Sequence, residues 1–159
     1  MTVDETRHAV TLTQPSDLEF RVEREFDHPI ERVWAAYTDT DLIPQWWGQG
    51  TTVDRFDLRV GGGYRFVSNA GTDKESAFVG DFLEIDPPAR IVQTFAMEGP
   101  YASPMTQTIE LTRAGDGTHL AITSRFDTTE ERDETVKYAA GGATWGWNQL
   151  DALLTRLDA

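Results

Sequence analysis

Between residues 53 and 126 the sequence contains six strand-like segments that only short turns separate. Gly, Pro, Asn and Asp residues mark these turns. No helical segment lies between the strands, so the alternation of strands and helices that is typical of a parallel sheet is missing. The pattern predicts an antiparallel meander with strands at 53–60, 64–68, 76–85, 90–97, 105–113 and 118–126.

The elements before this meander are shorter. Apolar and charged residues alternate over 18–26, which predicts a first strand. Residues 29–37 place a proline at the first turn and apolar side chains at helical spacing, which predicts a helix of about nine residues. Residues 41–47 predict a second short helix, which two glycines close. We expect residues 1–16 to form a flexible N-terminal leader and residues 17–159 to form a single domain.

A long amphipathic helix is expected at the C-terminus. Residues 127–131 resemble the capped start of a short helical stretch. An apolar stripe over 140–157 predicts about four helical turns, and Gly141 and Gly142 predict a kink or break near its start. Together the elements predict an α+β fold. A curved antiparallel sheet of about seven strands wraps around the C-terminal helix, with two short helices between strands 1 and 2.

The composition argues against several kinds of partner and chemistry. With 14 Lys and Arg against 27 Asp and Glu, the net charge of −13 disfavours nucleic acid and acidic membranes as partners. The lack of cysteine excludes disulfides, thiolate zinc sites and cysteine nucleophiles. His8, His28 and His119 lack metal-ligand spacing, so neither a metal nor a cofactor is expected. Without a signal peptide or a long apolar run, the sequence predicts a soluble cytoplasmic protein.

Several ordered motifs suggest a family. They are residues 26–34, 44–48, 56–62 and 80–92, followed by Gly146-Trp147 with Leu150 and Leu154. As a set, they resemble the SRPBCC (START-like, helix-grip) superfamily. Within it, they resemble the branch named for similarity to the activator of the ninety-kilodalton heat-shock chaperone's ATPase. The resemblance covers about residues 18–157 and implies the helix-grip fold. It says less about function, because the superfamily includes ligand carriers, cyclases, hydrolases, hormone receptors and chaperone cofactors.

The resemblance also implies a deep apolar pocket between the long helix and the sheet. The alternative is that the same side chains interdigitate as a solid core. Arg59 could bind a ligand carboxylate from the concave face, or form a structural ion pair with Asp57. The candidate ligand-binding residues are Trp46, Trp47, Phe56, Arg59, Tyr64, Phe66, Phe78, Phe82, Phe95, Met97, Met105, Ala139, Ala143 and Trp147.

Three functional hypotheses follow. The first is binding of a small apolar or aromatic molecule in the pocket without catalysis, by a monomer or homodimer. The second is an enzyme of the polyketide-cyclase or hydrolase kind, with a carboxylate or tyrosine acting as general acid or base. Its candidate residues are Asp57, Tyr64, Asp81, Glu84 and Tyr101. The third, which the name of the branch suggests, is regulation of a chaperone ATPase.

Overall fold

The computed structural model describes residues 8–99 and 104–158. Within these residues the chain forms eight strands, two α-helices and one 3₁₀ helix. The strands are β1 (Thr11–Thr13), β2 (Glu19–Phe26), β3 (Thr52–Phe56), β4 (Gly63–Ser68), β5 (Ser76–Asp86), β6 (Arg90–Met97), β7 (Met105–Ala114) and β8 (Gly117–Arg125). The helices are α1 (Ile30–Thr38), the 3₁₀ helix (Ile43–Gln45) and α2 (Thr129–Leu157).

All eight strands belong to one antiparallel sheet with the order β1-β2-β8-β7-β6-β5-β4-β3. Strands β3 to β8 therefore pair in chain order, which confirms the predicted meander. The chain crosses the sheet once, between β2 and β3, and α1 and the 3₁₀ helix lie within this connection. The predicted α+β helix-grip class is confirmed.

Burial alternates along β2, which shows the face of the sheet that is turned to the core. Phe20, Val22, Arg24 and Phe26 are buried, and the residues between them are only partly buried. Helix α1 adds three buried apolar side chains, which are Ile30, Val33 and Ala36. Helix α2 covers this face with Trp147, Leu150, Leu153 and Leu154. The core therefore lies between α2, α1 and the concave face of the sheet.

Helix α2 is one continuous helix of 29 residues, so a break at Gly141 and Gly142 is wrong, and a kink there stays a prediction. Each helical glycine costs about 1 kcal/mol relative to alanine. Burial of the apolar side chains in the second half of α2 offsets this cost. Thr128 caps the N-terminus and also stabilises the helix, because its hydroxyl accepts a hydrogen bond from the backbone N–H of Glu131 and donates one to the Glu131 carboxylate.

Three shorter segments also differ from the sequence-based expectation. The second short helix is only the 3₁₀ turn Ile43–Gln45, in which Pro44 supplies no backbone donor. Strand β3 ends at Phe56, so residues 57–60 form a loop rather than the end of a strand. Thr11–Thr13 pair with β2 as an additional strand within the segment that we expected to be a leader.

The described residues include no helix that is long and apolar enough to cross a membrane.

Candidate functional site

A cavity of about 370 Å³ lies between α2 and the concave face of the sheet. Helix α2 contributes four small residues to its wall, at the helical spacing of Ala139, Gly142, Ala143 and Gly146. A Cβ atom placed on Gly142 or Gly146 would meet no described atom within 4 Å. The small side chains of this helix face therefore leave the space open.

Aromatic rings form the wall near β3 and β4. The ring of Trp47 lies edge-on to Phe66 and Phe78, with centroid distances of 4.9 and 5.1 Å. Phe56 stacks on Phe66 at 6.2 Å and meets Phe82 edge-on at 5.6 Å. These contacts hold the rings in fixed positions and leave their apolar faces available to a ligand.

Two tryptophan indoles are fixed by hydrogen bonds. Trp46 is 5% exposed, and its Nε1 donates to the carbonyl oxygen of Ala36 at 2.9 Å. The Nε1 of Trp147 donates to the hydroxyl of Tyr37 at 3.0 Å, which joins α2 to α1 across the cavity wall. Both indoles are thus part of the core, while Trp47 is partly exposed.

Polar side chains cross the sheet side of the cavity in one row. Gln93, Gln107 and Ser124 occupy directly paired positions on β6, β7 and β8, and all three line the cavity. The amide nitrogen of Gln93 lies 3.1 Å from Oε1 of Gln107 and 3.4 Å from the hydroxyl of Tyr64. The cavity therefore contains neutral hydrogen-bonding groups as well as apolar surface.

Two phenols of the wall stay protonated. Burial raises the pKa of Tyr37 and of Tyr64 well above the ordinary tyrosine value of 10.0, and the charge of Asp81 raises that of Tyr64 further. Among the described residues that line the cavity, no side chain is that of Asp, Glu, Lys, Arg or His. The wall is therefore electrically neutral at physiological pH.

The family model for Activator of Hsp90 ATPase homolog 1-like protein matches residues 27–155. The chain belongs to this family. The sequence-based resemblance is thereby confirmed, and the match spans the elements from α1 through most of α2. The AHSA1-like family name describes a relationship in sequence and fold. It does not define the function of the cavity, which depends on the residues that line it in this chain.

Solved structures share the fold over nearly the whole chain. A Rhodobacter sphaeroides protein is 24% identical, with a TM-score of 0.82, covering 93% of this chain and 99% of its own. The Mll3558 protein of Rhizobium loti is 30% identical, with a TM-score of 0.67, covering 92% and 99%. DynU16, from the dynemicin biosynthetic locus, is 20% identical, with a TM-score of 0.71, covering 89% and 48%. A comparison with curated proteins finds no match.

The structure brings most of the predicted site residues of this AHSA1-like domain together. Those that line the cavity are Trp46, Trp47, Phe56, Tyr64, Phe66, Phe82, Phe95, Met105, Ala139, Ala143 and Trp147. Phe78 is not among the lining residues, and its ring stacks on Phe95 at 5.6 Å and packs edge-on to Trp47. Met97 is 50% exposed at the end of β6.

The predicted ligand contact of Arg59 is not supported by its position. Because β3 ends at Phe56, Arg59 lies in the following loop, where its side chain is 69% exposed. Its Nε donates to the carboxylate of Asp57 at 2.9 Å. The structural ion pair, the alternative that we considered from the sequence, is therefore the arrangement found.

Several lining residues were missed by the sequence analysis. They are Phe20, Val22, Tyr37, Ile43, Ile91, Gln93, Gln107, Ile109, Ile122, Ser124, Thr135, Tyr138 and Gly146. Strand alternation carried a signal for Gln93 and Gln107, because each lies midway between two inward-facing apolar residues on its strand. Gln93, for example, lies between Ile91 and Phe95, and Gln107 lies between Met105 and Ile109.

The candidate acids and bases of the AHSA1-like domain are mostly outside the cavity wall. Asp81 is exposed on β5, and Glu84 on the same strand accepts a hydrogen bond of 3.1 Å from Arg90. Tyr64 is on the wall, whereas Tyr101 lies outside the described residues. Within residues 8–99 and 104–158, no three His, Cys, Asp or Glu side chains are grouped so that they could hold a metal ion.

Proposed function

We propose that this chain binds one small, uncharged, largely apolar molecule in the cavity between α2 and the sheet, and that it catalyses no reaction on it. The observation that carries this proposal is a space of about 370 Å³ whose described lining residues are all uncharged. Its volume lies within the range of roughly 300–1,000 Å³ that is typical of small-molecule sites. Aromatic and aliphatic side chains make up most of the wall.

The absence of charge among the described lining residues favours a neutral ligand. An ionised carboxylate or ammonium transferred from water into such a wall loses several kcal/mol of solvation without an opposite charge to offset it. Arg24 is a buried cation on the same face of β2, but its guanidinium donates to Asn148 at 2.8 Å and lies over the ring of Phe26. It does not line the cavity.

A matched pair of probes tests the charge preference. Methyl 1-naphthoate and 1-naphthoate share the same ring system, but only the acid is ionised at pH 7. Binding is followed through quenching of tryptophan fluorescence, since Trp46, Trp47 and Trp147 line the cavity. We expect saturable one-to-one binding of the ester and binding of the carboxylate that is weaker by about a hundredfold.

A matched pair of variants locates the binding. Ala143→Phe places a ring in the cavity, whereas Ala140→Phe places the same ring on the exposed side of α2. We expect the first variant to abolish binding of the ester and the second to leave it unchanged. Absence of saturable binding by the wild-type protein, or equal binding by the two variants, would contradict the proposal.

The ester probe also tests the hydrolase hypothesis, and an ATPase assay tests the chaperone hypothesis. Methyl 1-naphthoate is itself an ester, so its conversion to 1-naphthoate during the titration, measured by chromatography, would favour a hydrolase. We expect no conversion, because the candidate carboxylates Asp57, Asp81 and Glu84 are not among the residues that line the cavity. The family description refers to activation of the Hsp90 ATPase. We expect the purified chain not to stimulate that ATPase, and a stimulation would favour the chaperone hypothesis.

A further inference from the structure

The row of polar side chains on the cavity wall has a defined hydrogen-bond direction. It starts at a backbone carbonyl, because the hydroxyl of Tyr64 donates to the carbonyl oxygen of Thr94 at 2.8 Å. A carbonyl oxygen can only accept, so the single proton of this hydroxyl is used there. Toward the cavity, Tyr64 can therefore act only as an acceptor.

This direction fixes the orientation of the two glutamine amides. Gln93 must turn its NH₂ group toward the hydroxyl of Tyr64, which lies 3.4 Å away. The same nitrogen lies 3.1 Å from the side chain of Gln107, so Gln107 must offer its oxygen in return. The NH₂ group of Gln107 is left without a partner among the described residues.

A second donor stands beside this amide. Ser124 is the direct cross-strand neighbour of Gln107 on β8, so the two side chains project from the same face of the sheet. Ser124 is only 2% exposed, and within the described part of the chain its hydroxyl has no hydrogen-bond partner. The hydroxyl of Ser124 and the amide of Gln107 both lie on the cavity wall, so they offer two donors to a ligand that accepts hydrogen bonds.

We propose that the ligand is an uncharged molecule with a carbonyl oxygen, and that this oxygen accepts hydrogen bonds from the amide of Gln107 and the hydroxyl of Ser124. This proposal rests on the binding function proposed above and adds the chemical class of the ligand. Apolar contacts with the aromatic wall hold the rest of the molecule. Ketones, esters, amides and quinones belong to the class, whereas hydrocarbons and carboxylates do not.

The test compares two probes that differ at one position. 1-Tetralone carries a carbonyl where tetralin carries a methylene group, and the rings are otherwise alike. The dissociation constants of both are measured by isothermal titration calorimetry, and the quantity compared between proteins is their ratio. Using the ratio cancels changes in apolar packing that affect both probes equally.

Three variants decide the role of the two donors. Gln107→Met and Ser124→Ala each remove a donor while keeping a side chain of similar or smaller size. Gln49→Met makes the same exchange at an exposed position outside the cavity. In each of the first two variants we expect the preference for 1-tetralone to fall about fivefold to tenfold, with tetralin binding changed by less than about threefold. The third should match the wild-type protein.

The outcomes separate the two proposals. If both probes bind and the ratio is unchanged in Gln107→Met and in Ser124→Ala, the carbonyl contact is refuted while binding in the cavity stands. If neither probe binds to the wild-type protein, the proposed function fails and the carbonyl contact fails with it. Because Ser124→Ala removes a single oxygen atom, it keeps the test valid even if Gln107→Met does not fold.

Discussion

The imidazole Nε2 of His28 lies 3.0 Å from a carboxylate oxygen of Asp151 on α2. Its Nδ1 lies 3.0 Å from Asp158, so one ring joins the turn after β2 to the last turns of α2 and to the residue that caps its C-terminus. Both nitrogens donate when the ring is protonated, and both acceptors are carboxylates. His28 is 5% exposed, and its carbonyl oxygen accepts from Thr118 at 2.7 Å. The C-terminal end of α2 is thereby held to the sheet.

Replacing His28 should loosen this attachment. We expect His28→Ala to lower the free energy of unfolding by about 1–3 kcal/mol, because the contacts of a buried ring with two carboxylates are lost. Urea denaturation measures the change. Arg32, whose Nη1 lies 2.6 Å from Asp158, retains part of the attachment and keeps the loss within this range.

His119→Ala is the matched control for this prediction. The Nε2 of His119 lies 2.8 Å from a carboxylate oxygen of Glu23, and the His119 side chain is 35% exposed. Partly solvated pairs of this kind contribute about 0–1 kcal/mol. An equal loss of stability in the two variants would show that the two buried contacts of His28 stabilise the fold no more than the partly solvated contact of His119.

The contact between His28 and Asp151 also marks a limit of sequence analysis. Its partners are 123 residues apart, and nothing in the local pattern of either residue indicates the other. Local patterns did predict the elements themselves, since the alternation in β2 and the short turns between β3 and β8 reflect burial on one face of a sheet. The continuity of α2 across Gly141 and Gly142 could not be predicted, because tertiary packing outweighs the low helix propensity of glycine.

The sequence also predicted part of the candidate site, namely its aromatic wall. The aromatic residues of the wall were recognisable as candidate lining residues because of their side chains. The family resemblance implied that they lie together in a pocket between the long helix and the sheet. Arg59 was misplaced because the end of β3 was set four residues too late, at residue 60 instead of Phe56. Gln107 and Ser124 could not be singled out in the same way, because neutral polar residues are common on strands, although both occupy inward-facing positions.

Gly80 should not tolerate a side chain. A Cβ atom at this position would lie 1.9 Å from the carbonyl oxygen of Thr94 and 2.6 Å from the ring and hydroxyl of Tyr64. We expect Gly80→Ala to reduce the free energy of unfolding by about 2–4 kcal/mol, since the backbone of β6 would have to move. Thermal unfolding measures this loss.

A second background tests whether the hydroxyl of Tyr64 alone causes this clash, since phenylalanine keeps the ring carbon at the same place. Tyr64→Phe removes the hydroxyl but leaves the carbonyl oxygen of Thr94 in place. Gly80→Ala should therefore remain destabilising when it is combined with Tyr64→Phe. Full recovery of stability in the combined variant would show that the phenol of Tyr64, and not the backbone of β6, sets the requirement for glycine.

Alkaline pH should destabilise the fold through its buried phenols. Burial raises the pKa of Tyr37 and Tyr64 in the folded state above 10.0, the value of a solvated tyrosine. Their contribution to stability is complete below about pH 10 and is lost as the pH rises further, because only the unfolded chain releases these protons. Each phenol should then lower the free energy of unfolding by about 1.4 kcal/mol per pH unit.

Urea denaturation between pH 9 and 12, with tyrosinate absorbance as a second signal, tests the role of these phenols. The double variant Tyr37→Phe, Tyr64→Phe should lose stability less steeply above pH 10 than the wild-type protein. Tyr138→Phe, at a residue that is 75% exposed, is the matched control and should keep the wild-type slope. Equal slopes in all three proteins would contradict the assignment.

The glycines on the cavity face of α2 should lower stability while keeping space for a ligand. Gly146→Ala meets no described atom within 4 Å, and the same holds for Gly141→Ala, which lies outside the cavity lining. Each substitution should stabilise the protein by about 0.5–1 kcal/mol, because alanine favours the helix. Gly146→Ala should also weaken binding of methyl 1-naphthoate, whereas Gly141→Ala should not, since only the first methyl group occupies the cavity wall. Thermal unfolding and the fluorescence titration measure the two effects separately. A weaker affinity in both variants would mean that stiffening of α2, rather than loss of space, controls binding.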